Sequence, residues 1–313
     1  MLPSREVMLG GDLDARRLVE LAAEAEQRGY DSVWVGDSPL ARPRLDPMTV
    51  LSAVAASTES VQLGTAALVG ILRHPIAAAW QIASLDQLSR GRLIVGLGAG
   101  FPSPATRTEL GAFGVPFERR LDRLVDTVAL WRAVWSGDRR NGAVSVGERQ
   151  WSLDDVAALP RPFRDGGPPL WLAADSDRTR PLVAEHFDGW LPYPPDPEAF
   201  VTSWAHINSH TVAGQLRPPP TAAIMATVLA DDDTDAGRAS LDEYCTAYYG
   251  APLDAMETLQ AFRTGPIESI VSSLAQYVDA GARHLILRAG TLHPEDHLDA
   301  LDDIITQLRK KVT

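Results

Sequence analysis

Three stretches carry residue types that could do chemistry at spacings that invite it. Arg73-His74-Pro75 puts a charged pair beyond the apolar run Val61–Val69, separated from it by three residues, with the proline able to open a helix. At the C-terminal end of a parallel strand such a pair faces a ligand; the alternative is a solvated helix start. Gly96-Leu-Gly98-Ala99-Gly100 follows Leu93–Val95 and looks like a dinucleotide loop. The fingerprint needs a sixth-position glycine opening a helix, however, and here Phe101, Pro102 and Pro104 intervene. These glycines instead suit close approach of backbone to a flat ligand. Trp171-Leu-Ala-Ala174-Asp175-Ser176-Asp177-Arg178 runs from a strand toward a helix expected over 179–187, with Ser176 or Asp177 as N-cap. Free amides there form an anion site, which Arg178 and Arg180 favour, and simple capping is the alternative.

Other suggestive patterns fail on spacing. His206/His210 and His293/His297 share i, i+4 spacing but have no third ligand, and Glu295 sits one place late for a zinc protease helix. Asp231–Asp235 starts like a calcium loop, yet Ala236 and Asp242 occupy positions that need glycine and glutamate. It reads as an acidic helix start, and no metal site is expected.

These stretches must be held by a scaffold, and the sequence supplies one by alternation. Apolar, β-branched runs at 32–35, 61–69, 93–97, 170–173, 223–229 and 284–287 are separated by amphipathic segments. In 118–135, Leu121, Leu124, Val125, Val128, Trp131 and Trp135 recur every three or four residues. Strands without internal alternation, each followed by a helix, mean a parallel sheet covered on its faces. Gly29 and Gly281 each end a helix before a strand, at the position that favours positive φ. With short strands at 7–9 and 189–191 the count reaches eight, which favours a (β/α)8 TIM barrel over an open doubly wound sheet. The chain is read as one domain, 1–313, with an insertion between strands 4 and 5 over 137–168, where Asn141-Gly142 suits a hairpin turn.

Composition narrows the partners. The 313 residues carry 29 Lys+Arg against 41 Asp+Glu, a net charge of −12, which opposes nucleic acid and anionic membranes. Lysine occurs only as Lys310 and Lys311, so no interior lysine can form a Schiff base or serve a phosphate loop. Cys245 stands alone, which excludes an intramolecular disulfide. No apolar run approaches the ~20 residues of a membrane span, and a cytoplasmic location is expected.

In order along nearly the whole chain, Gly29-Tyr-Asp-Ser-Val-Trp-Val-Gly-Asp37, Asp46-Pro, Arg73-His-Pro, Leu85-Asp-Gln-Leu-Ser-Arg-Gly91 through Gly100, Gly114-Val-Pro-Phe-Glu-Arg-Arg120, Asp188-Gly-Trp and Gly265-Pro-Ile-Glu-Ser-Ile resemble the bacterial-luciferase-like flavin and deazaflavin oxidoreductases. The resemblance implies a (β/α)8 barrel with an isoalloxazine-type ring across its mouth. It implies ring contacts from Asp37, Ser38, Gly70, Ile71 and Gly98, Ala99 and Gly100, a non-proline cis peptide near Gly70-Ile71, and a phosphate held by Ala174, Asp175 and Ser176. The chain departs from the group in having Ser38 where several members place histidine and Phe101 where some place glutamate. Both acid–base groups are thus missing from their usual places.

The expected function is a flavin-dependent oxidoreductase, foremost a monooxygenase using reduced FMN from a separate flavin reductase. Arg73 would give electrostatic support, and His74 and Tyr193 would shuttle protons. The alternatives are F420-dependent hydride transfer to or from an imine, ketone or enone, and a flavin-binding relative without catalysis. With so little lysine, an anionic cofactor would rely on amides and on Arg73, Arg178 and Arg288. The substrate is expected to be a small, partly apolar molecule lined by Phe101, Trp151 and Tyr193, and helices around the second and third strands suit a C2 homodimer.

Overall fold

The apolar runs become parallel strands and the amphipathic segments become the helices over them, as their periods require. The computed structural model describes residues 1–10, 14–136, 143–146, 148–152, 159–210 and 218–312. They form two compact units, Met1–Ala15 with Ala174–Thr313, and Arg16–Ala173.

In the unit Arg16–Ala173, strands β1 (Ser32–Val35), β2 (Gln62–Leu68) and β3 (Leu93–Leu97) run parallel in that order. A small antiparallel hairpin of β4 (Ala143–Val146) and β5 (Arg149–Ser152) intervenes before β6 (Leu170–Leu172) joins the free side of β3. Asn141-Gly142 lies outside the described residues, and β4 finds its partner in the strand that follows it. Glycine is required where strands face tryptophan: a Cβ on Gly64 would lie 2.1 Å from the Trp34 ring on the neighbouring strand. Trp34 in turn packs against Trp171, with centroids 5.5 Å apart.

At the strands' N-terminal ends, the Arg92 guanidinium donates to the carbonyls of Ala55, Thr58 and Val61 and to the Thr58 hydroxyl. Nearby, Glu26 accepts the backbone N–H groups of Glu59, Ser60 and Val61. Helix 120–136 carries its predicted stripe inward, and the Trp131 and Trp135 indoles donate to the carbonyls of Pro75 and Ala79 on helix 75–88.

In the other unit, β8 (Thr221–Ala230) is the hub: β7 (Gly189–Trp190), β9 (Ala261–Gly265) and β10 (His284–Ala289) all pair with it in parallel. The run at 7–9, read as a first strand, is instead part of a helix, Glu6–Leu9, closed by i→i−4 bonds such as Leu9 N–H to Arg5 C=O. Three apolar residues carry too little periodicity to separate the two states. β9 carries no strand signal of its own because Arg263 and Thr264 interrupt its apolar character. Gly29 and Gly281 adopt positive φ, +80° and +112°, as their places before β1 and β10 suggest. Asp231–Asp235 is a helix start, with the Asp233 carboxylate capping Asp235 and Ala236. No helix among the described residues is long and apolar enough to cross a membrane.

Candidate functional site

The C-terminal ends of β2, β3 and β6 share an unusual chemistry: almost no side chains. Thr65 and Leu68 are fully buried, whereas Ala66 and Ala67 between them are half-buried, where the β2–β3 register shifts. Gly98 N–H donates to the Leu68 carbonyl and Ala173 N–H to that of Leu97, so the ends of the three strands lie side by side. A Cβ on Gly98 would stand 3.4 Å from Ala67 Cβ and 3.9 Å from the Ala173 carbonyl oxygen. Gly100 has φ +86°, and its missing Cβ leaves room for Thr106, which begins the buried face of helix 104–112. Ala66, Ala67, Gly98, Ala99 and Ala173 therefore make a floor of backbone and methyl groups on which a flat ring can lie.

The non-proline cis peptide is at Ala66-Ala67 on this floor and not near Gly70-Ile71. Gly70 and Ile71 sit in a buried 3-10 turn, where a Gly70 Cβ would lie 3.0 Å from the Trp131 ring. They pack against helix 120–136 and offer no surface to a ligand.

Beside the floor, β1 delivers Asp37. Its Oδ2 accepts the Val69 N–H at 3.0 Å and Arg73 Nη1 at 2.6 Å, and its side chain is only 4% exposed. Arg73 spends Nη2 on Asp46, 2.7 Å away, the residue that caps helix 47–57. Burial alone would lower the Arg73 pKa, but the two carboxylates outweigh it and raise it. For Asp46, burial pushes up while the Thr49 N–H and Arg73 pull harder, holding its carboxyl below the usual range. Arg73 is thus a clamp between the ends of β1 and β2 and the start of a helix, with its charge already matched. His74 is exposed, edge-on to Trp151 at 5.1 Å, and burial together with the positive Arg149 and Arg123 lowers its pKa.

Ser38 leads to a residue that the sequence motifs do not single out. Its hydroxyl donates to Glu109 Oε1 at 3.0 Å, and the same oxygen accepts the N–H groups of Leu40 and Ala41. Glu109 is 3% exposed. Thr106, Glu109 and Leu110 share the i, i+3, i+4 spacing of one helix face, so a carboxylate on the buried face was legible from spacing alone.

In the other unit the 174–178 segment is more self-contained than a phosphate loop. Ala174 C=O accepts the Trp190 indole N–H, and Asp175 takes Arg180 Nε at 2.7 Å and the Ser203 hydroxyl at 2.9 Å. Ser176 N–H is bonded to Thr179 Oγ1, and this local turn delays the helix to Arg180–His186, with Thr179 rather than Ser176 or Asp177 at the N-cap. Arg180 is shared between Asp175 and Asp177, and Arg178 is exposed. Tyr193 lies half-buried in a tightly held loop: Pro192 C=O accepts Met225 N–H, Pro194 C=O the Tyr277 hydroxyl, and Pro195 C=O Arg263.

Arg288, expected at a cofactor phosphate, is an interior residue at 5% exposure. It donates to the Tyr249 hydroxyl at 2.5 Å, lies over the Tyr248 ring, and contacts the sulfurs of Met1 and Met225. The aromatic run Tyr244–Tyr249 on helix 234–249 supplies this cage, which a strand-by-strand reading does not reveal.

A parallel α/β scaffold with a side-chain-free floor at its strand ends, flanked by a clamped aspartate, defines a protein that binds a flat heteroaromatic cofactor. The chain belongs to the luciferase-like monooxygenase family, whose match spans residues 1–284, and it is an oxidoreductase. It is 30% identical over 320 aligned residues to an F420-dependent hydroxymycolic acid dehydrogenase of Mycobacterium tuberculosis, covering 94% of this chain and 84% of that one. It is 33% identical to an F420-dependent glucose-6-phosphate dehydrogenase of Beutenbergia cavernae over 56% of this chain and 52% of that one. Among solved structures it shares the fold of the monooxygenase RslO1 from Streptomyces bottropensis (TM-score 0.78, 18% identity, 96% of both chains). The same holds for an F420-dependent secondary alcohol dehydrogenase (TM-score 0.78, 19% identity, 95% of this chain and 96% of that one). An FMN-bound Baeyer-Villiger monooxygenase component from Pseudomonas putida is also similar (TM-score 0.74, 16% identity, 96% of both chains).

Proposed function

We propose that the protein is an F420-dependent oxidoreductase that transfers hydride to or from the carbon–oxygen bond of a small, partly apolar alcohol or ketone. The observation that carries this reading is the floor of Ala66, Ala67, Gly98, Ala99 and Ala173, which offers a flat ring backbone and methyl groups alone. The F420-dependent relatives add support. The eightfold barrel expected from the sequence is part of the proposal.

The deazaflavin supplies the hydride chemistry; the chain supplies placement and charge. Asp37, fixed by Arg73 and Val69 N–H, holds the end of β1 against the end of β2. Gly98, Ala99 and Gly100 let the ring approach backbone. Ala174, Asp175, Ser176 and Arg178 are the candidates for the anionic tail, and Tyr193 for the substrate side. A homodimer formed through helix 75–88 completes the proposal: its face carries Trp80 and Leu88, 54% and 58% exposed.

A second reading, a monooxygenase using reduced FMN from a separate flavin reductase, is supported by the luciferase-like monooxygenase family match and by the similar fold of the FMN-bound Baeyer-Villiger component. Titration of the purified protein with F420 and with FMN, followed by fluorescence, separates the two. Micromolar binding of F420 with weak FMN binding supports the first reading; the reverse selects the second, and binding of neither overturns both.

A further inference from the structure

We propose that Ser38 and Glu109 form the proton relay of this site, Ser38 facing the substrate oxygen and Glu109 receiving the proton behind it. The inference rests on the functional reading above and deepens it. Hydride transfer from an alcohol needs a proton acceptor at the same carbon–oxygen bond, and the C-terminal end of β1 is where such a group belongs.

The carboxylates of this region are not equivalent. Asp37 and Asp46 are both committed to the Arg73 guanidinium. Glu109 has no cation within ion-pair distance among the described residues. Its Oε1 accepts three donors, and Oε2 has no protein partner among those residues. Arg107, on the same helix, pairs with Glu118 of the turn 117–119, and Arg44 donates to the Arg42 carbonyl.

Ser38 is oriented for relay. Its hydroxyl hydrogen points to Glu109, one lone pair accepts the Arg42 N–H at 2.8 Å, and the second remains for a substrate hydroxyl. In the oxidative direction the substrate O–H proton passes to Ser38 Oγ as the serine's own proton passes to Glu109. A bound deazaflavin would supply the acceptor for the carbinol hydrogen and its electron pair, so that a carbonyl would form. Reduction is the reverse, with Glu109 returning the proton.

A thiol reporter tests the couple without turnover. In Ser38→Cys, the ionisation of the introduced thiol is followed by absorbance at 240 nm; native Cys245 stays silent because burial pushes its thiol up to about 12. The adjacent carboxylate should hold the introduced thiol above the ordinary value of about 8.5. Adding Glu109→Gln should then increase its ionisation constant at least tenfold. In the otherwise native enzyme, Glu109→Gln keeps an acceptor oxygen for Leu40 and Ala41, so folding should persist while the acidic limb of the alcohol-oxidation pH profile disappears. An identical thiol pKa with and without Glu109, or a retained acidic limb in Glu109→Gln, overturns the relay. Should the double variant not fold, Ser38→Ala decides through the same limb. If neither F420 nor FMN binds, the functional reading fails and the relay with it; if a cofactor binds and the thiol is indifferent to Glu109, the relay alone fails.

Discussion

Replacing Arg73 with alanine should cost about 3 kcal/mol of folding stability, through loss of support for Asp37 more than for Asp46. The Asp37 carboxylate is 4% exposed and accepts two hydrogen bonds on Oδ2; the substitution removes the shorter, charged one and leaves only the Val69 N–H. A hydrogen bond to a charged group contributes about 1.5–3 kcal/mol, and breaking a buried pair from one side costs about 3–5 kcal/mol. Arg73 itself is 18% exposed, which favours the lower end of that range. The Asp46 contact adds little, because Asp46 is 47% exposed and such pairs contribute roughly 0–1 kcal/mol. Urea unfolding at pH 7, followed by tryptophan fluorescence, should therefore show a midpoint lower by about 1 M, taking a slope near 3 kcal/mol per molar. Adding Asp37→Asn should recover at least ~1.5 kcal/mol, since it removes the stranded charge. A loss below about 1 kcal/mol, or no recovery in the double variant, would refute the clamp.

Glu26 provides a pH test. Burial opposes ionisation, but the N–H groups of Val61, Ser60 and Glu59 outweigh it and hold the carboxyl at about 2, against 4.5 ordinarily. A folded-state pKa below the unfolded one gives stability that is full above about pH 4.5 and lost as pH falls toward 2, so Glu26→Gln should flatten that part of the acid-denaturation curve. Gly98→Val should weaken cofactor binding at least tenfold by fluorescence titration: its Cβ fits, 3.4 Å from Ala67, but the added methyls rise over the floor. Binding equal to wild type would place the ring elsewhere. Trp80→Glu should shift sedimentation from dimer to monomer, and an unchanged profile would remove helix 75–88 from the interface.

How much of this was readable in advance depends on the range of the signal. The strands at 32–35, 62–68, 93–97 and 284–289, the helix at 120–136, and the helix-ending glycines Gly29 and Gly281 follow from periodicity and backbone preference, which are local. Local signals failed where segments were short or mixed, as at 7–9 and 261–265, and where a hydroxyl pair reset a helix start, as at Ser176 and Thr179.

The sequence by itself determined an acidic α/β chain with parallel strands whose C-terminal ends carry Asp37-Ser38, Arg73-His74 and a glycine-rich turn. Tertiary structure decided what those residues are free to do. Arg73 is neutralised by Asp37 and by Asp46, Arg288 turns into a tyrosine cage, and Glu109, 71 residues from Ser38, arrives to hold it. Charge pairing and hydrogen-bond partnership are relations between residues distant in the chain, and no pattern within one segment encodes them.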